Sequence, residues 1–145
     1  SETPRFLDSK YKFEIGKGKI LKEGTDMTIV ACGIQTHRAI EAAEELLNKN
    51  INVRVVNMST IKPIDKNLLE DCIEISPKIL VTEDHNVYGG LFSATCEALS
   101  TSKNCEIFDL CVNDTFGESG EPDELAEKYG ISKDHIVKKA LEILG

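Results

Sequence analysis

No apolar run in this chain is long enough to cross a bilayer, and no signal-peptide pattern opens it. No cluster of Lys or Arg stands out either. Asp and Glu outnumber Lys and Arg by 25 to 17, which leaves a net charge of −8. Nucleic acids and anionic membrane surfaces are bound chiefly through clustered positive charge. Neither is therefore an expected partner, and the negative charge reads as solubility. Cysteine pairing is missing as well. The five cysteines are odd in number and none forms a Cys-x-x-Cys pair. Neither a secreted disulfide framework nor a zinc site is therefore expected. Small buried thiols in a reducing cytosol are expected, which makes the expected location cytoplasmic. Internal repeats and low-complexity stretches are absent.

What is present suits one globular domain. The chain has 145 residues, 41% hydrophobic and 29% charged, enough for a single core without metal or disulfide. Residues 1–16 read as an arm or linker, with Phe6, Leu7, Tyr11, Phe13 and Ile15 scattered without a helical period. Residues 17–145 read as the domain. The opening Ser-Glu-Thr-Pro, with no initiating Met, fits a piece of a longer chain.

Strand and helix patterns alternate along that domain. Lys19 to Leu21 suits an edge strand, and Gly24 a turn. Met27 to Cys32 is nearly all apolar, as in a strand covered on both faces. A helix follows Gly33 with Ala39, Ala42, Ala43, Leu46 and Leu47 on one side. Ile51 to Val56 is the next strand. Asp65 then caps a helix with Leu68, Leu69, Cys72 and Ile73 inward. A strand at Ile79 to Thr82 leads through Gly89 and Gly90 to a helix with Leu91, Ala94, Thr95 and Ala98 in register. Glu106 to Val112 is a last parallel strand. Two helices close the chain, the first opened by Pro122 and stopped by Gly130. The second is capped by Ser132, with Ile136, Val137, Ala140, Leu141 and Leu144 as its stripe. Right-handed crossovers would place helices on both faces of a mostly parallel α/β sheet.

Ligands of such sheets bind beyond the carboxyl ends of the strands. Four loops follow those ends: 33–36, 57–61, 83–90 and 113–121. In the third, Glu83, Asp84 and His85 offer a carboxylate beside an imidazole, and Gly89 and Gly90 allow close backbone approach. The acids oppose a phosphate there, and no nucleophile accompanies His85. In the fourth, Phe116, Gly117, Glu118 and Ser119 precede a helix without a Gly-x-Gly-x-x-Gly pattern or a P-loop Lys. Its acidity argues against a nucleotide cradle. These nine residues are candidates for contact with another domain. No catalytic, cofactor or metal residue is expected within the chain. His37 and His135 have no neighbours at metal spacing.

Several stretches, taken in order, resemble the transketolase C-terminal domain, above all that of split transketolases. They are Tyr11 to Lys17, Leu21 to Val30, Val55 to Asp65, Val81 to His85 with Gly89-Gly90-Leu91, and Phe116 to Gly120 with Tyr129-Gly130. The resemblance implies a three-layer α/β/α fold whose mixed five-stranded sheet has its first strand antiparallel to the other four. It implies a chain that binds no cofactor alone. Thiamine diphosphate and Mg2+ would sit between pyrimidine-binding and diphosphate-binding domains of the same enzyme. That enzyme would transfer a two-carbon ketol unit between sugar phosphates, as in the pentose phosphate pathway. This domain would support its neighbours and the packing of a homodimer. Two other roles stay open. One is the C-terminal domain of a 2-oxo-acid dehydrogenase beta subunit, although a proline-rich ending is usual there. The other is a stand-alone interaction or regulatory module binding an effector at the strand-end loops.

Overall fold

A computed structural model describes residues 16–84, 90–102, 104–111 and 122–145. All but one residue of the expected arm lies outside them. The elements run β1 (Lys19–Lys22), β2 (Met27–Ala31), α1 (Ile34–Leu47), β3 (Val53–Asn57), α2 (Lys66–Ile75), β4 (Lys78–Glu83), α3 (Leu91–Ala98), β5 (Glu106–Cys111), α4 (Pro122–Lys128) and α5 (Lys133–Leu144).

The five strands form one sheet in the order β1-β3-β2-β4-β5. β1 runs antiparallel to β3, and the other pairings are parallel. The expected mixed sheet is therefore the observed one. Strand side chains alternate between its two faces, as the two-residue period of a strand requires. Ile29, Val55 and Leu80 join α1 and α5 in one core. Val30, Val56, Ile79 and Val81 join α2 and α3 in the other. These are the outer layers of an α/β/α sandwich.

Local chemistry sets the element ends. Asp65 caps α2 with Oδ1, which accepts from Leu68 N at 3.1 Å. Its Oδ2 accepts from Gly18 N at 2.9 Å, so one carboxylate ties the approach to β1 onto α2. Gly24 is required for space. A Cβ there would overlap the backbone of Val53 and Arg54.

Some boundaries and faces differ from the sequence pattern. β3 begins at Val53, because Ile51 is spent closing α1. Asn50 turns left-handed with φ 62, and Ile51 N donates back to Leu46 O at 3.0 Å. Leu47 is 48% exposed, at the margin of the α1 stripe. Leu141 is 38% exposed, and Ile143, at 7%, takes the inward place expected of it. Leu68 and Ile73 are only half-buried beside the fully buried Leu69 and Cys72. β5 is an edge strand with no fully buried residue, unlike the interior strands. Among the described residues no helix is long and apolar enough to cross a membrane.

Candidate functional site

The carboxyl ends of the parallel strands line one edge of the sheet. Ala31 lies beside Asn57 and Thr82, and Glu83 lies beside Cys111. From this edge the chain leaves β2 through α1 on one face and leaves the adjacent β4 through α3 on the other. A crevice at such a switch point is where α/β sheets hold ligands.

A buried carboxylate stands at this edge. Glu83 ends β4 and is only 2% exposed. Its Oε1 accepts from Leu91 N, the first residue of α3, at 3.0 Å. Gly90 precedes Leu91 with φ 86 and supplies no side-chain cap. A non-glycine residue would be strained there. The Glu83 carboxylate thus sits where a bound anion would meet the helix N-terminus. Cys32, just past the end of β2, and Cys111, the last residue of β5, lie near it. Burial first, and then the Glu83 charge, push each thiol up to about 12. Both are protonated and poor nucleophiles at neutral pH.

A second set of buried polar groups closes the α1 side. Gln35 Nε2 donates to Thr82 Oγ1 at 2.7 Å and to Ile131 O at 3.0 Å. Thr82 Oγ1 in turn donates to Leu110 O at 2.8 Å. Gln35 Oε1 accepts from Arg38 Nη1 at 2.7 Å, and Arg38 Nη2 reaches Asp123 of α4 at 3.3 Å. Thr36 Oγ1 donates to Asn57 Oδ1 at 2.9 Å. All but the Arg38–Asp123 contact, whose acid is exposed, lie within the protein. The set fastens α1, β3, β4, β5, α4 and the α4–α5 connection to one another.

Of the nine residues expected at the strand-end loops, Glu83, Asp84 and Gly90 are described. His85, Gly89, Phe116, Gly117, Glu118 and Ser119 lie outside the described residues. Glu83 is buried and accepts a hydrogen bond from Leu91 N, the first residue of α3. The expected 33–36 loop is mostly the first turn of α1. His37 is half-exposed beside Glu41 at 3.6 Å. His135 shares a 2.7 Å hydrogen bond with Ser132 Oγ. The sequence pattern missed Gln35, Thr36, Arg38, Asn57 and Thr82. Its available signal was spacing: Gln35 and Arg38 stand one turn before the inward Ala39 and Ala42.

A groove of about 400 Å³ opens near Lys19, whose partner Asn57 ends β3. Its lining includes Lys17, Lys19, Asp65 and Asp71. Asp65, the best placed of these, is committed to Leu68 and Gly18.

Fold and strand-end face together define a three-layer α/β/α domain of mixed sheet, locked at its carboxyl edge by its own polar groups. Residues 16–136 match the family model described as transketolase, C-terminal domain. The chain belongs to that family. It is 43% identical over 132 residues to a putative transketolase C-terminal section of Methanocaldococcus jannaschii, covering 90% of this chain and 40% of that protein. It is 37% identical over 132 residues to the 6-deoxy-6-sulfo-D-fructose transketolase subunit of a Clostridium species, covering 91% and 41% respectively. A solved split gene transketolase, an inactive beta4 tetramer, superposes with a TM-score of 0.89 at 42% identity, over 99% of this chain and 47% of that one. The chain thus spans about two fifths of the length of these curated relatives.

The cofactor that the resemblance implies needs an anion cradle and several oxygen ligands for its metal. Among the described residues no group of three His, Cys, Asp or Glu side chains is placed to hold a metal ion. The α3 N-terminus is already taken by Glu83. The described residues do not fit thiamine diphosphate and Mg2+, and no chemical step is assigned to them.

Proposed function

We propose that this chain is the C-terminal supporting domain of a transketolase-type enzyme. The complete enzyme uses thiamine diphosphate and Mg2+ to transfer a two-carbon ketol unit between sugar phosphates or related ketoses. The cofactor lies between pyrimidine-binding and diphosphate-binding domains of that enzyme, which are the partners of this chain. Packing of a second copy completes the assembly in the cytoplasm. The observation that carries this reading is the commitment of the strand-end polar groups. Glu83, Gln35, Thr82 and Arg38 all spend hydrogen bonds on the domain's own backbone and side chains. Such groups hold a surface in shape and are poorly placed to act on a substrate. The transketolase names of the relatives favour ketol transfer over the oxo-acid dehydrogenase role.

Reconstitution tests the proposal. The chain is supplied with thiamine diphosphate, Mg2+, a ketose phosphate donor and an aldose phosphate acceptor. No turnover is expected until pyrimidine-binding and diphosphate-binding domains of a split transketolase are added. Ketol transfer by the chain alone would overturn it.

A further inference from the structure

No further inference is drawn: the strongest candidate, the groove of about 400 Å³ beside β1 and α2 with Lys17, Lys19, Asp65 and Asp71 in its lining, carries none, because nothing in the structure shows what covers it.

Discussion

The Gln35 amide and the Thr82 hydroxyl are 2.7 Å apart, and both are wholly buried. One belongs to the first turn of α1 and the other to β4, 47 residues away. Thr82 passes the chain of bonds on to Leu110 O at 2.8 Å. Leaving one buried partner of such a pair unmet costs about 1–3 kcal/mol. Thr82→Val should therefore lower the free energy of unfolding by about that amount, although the two side chains are close in shape. Gln35→Leu should cost at least as much, because the buried Arg38 Nη1 loses an acceptor as well. Urea denaturation of the two variants and of the double variant measures this. The double variant should cost less than the sum of the singles, since the residues share one network.

Asp65 performs two tasks with one carboxylate. It caps α2 through Leu68 N and holds Gly18 N beside the start of β1. A lost cap alone costs about 1 kcal/mol. With the second donor also released, Asp65→Ala should cost about 2 kcal/mol. Asp65→Asn, which retains one acceptor oxygen, should recover part of that loss. Thermal unfolding of both variants, followed by circular dichroism, checks the order.

Gly24 tests a different kind of constraint. Its hypothetical Cβ meets backbone at Val53 and Arg54, not the end of a flexible side chain. Neither neighbour can yield without disturbing the pairing of Val53 with Met27. Gly24→Ala should thus destabilise by about 1–3 kcal/mol, as overpacking does elsewhere. Gly18→Ala meets only the ends of the Leu68 and Met58 side chains, which can rotate aside. It should cost less. Urea midpoints of the two variants rank them directly.

The fold was legible because its signals are local and redundant. Met27 to Ala31 reads as a covered strand, and all five residues are buried. Asp65 and Ser132 read as caps, and both accept hydrogen bonds from the third residue on. The site was less legible for a physical reason. The partners of Gln35 are Thr82 and Ile131, 47 and 96 residues distant. No spacing rule joins residues so far apart, because only the closed sheet brings them together. Glu83 was singled out in sequence as a carboxylate beside an imidazole in a strand-end loop. Its burial depends on α3 folding back over the end of β4. Leu47 and Leu141 were overread because hydrophobicity alone does not separate the margin of a helix stripe from its centre.

The thiols of Cys32 and Cys111 make stability depend on alkaline pH. Burial raises both from 9.0 in the open chain to about 12 in the fold. The folded state thus favours the protonated form, and its advantage is complete below pH 9. As pH rises from 9 towards about 12, the unfolded chain gives up these protons before the folded one does. Unfolding then becomes easier with every step in pH. Urea midpoints measured near pH 7 and near pH 10 should fall across that interval by more than those of a Cys32→Ala, Cys111→Ala double variant. A thiol reagent offers an independent check. At about pH 8 both residues should resist alkylation while the chain is folded, because almost none of either thiol is ionised, and both should react once urea unfolds it. An unchanged midpoint difference, together with rapid alkylation of the native chain, would show that the carboxyl edge of the sheet is open to water at Cys32 and Cys111.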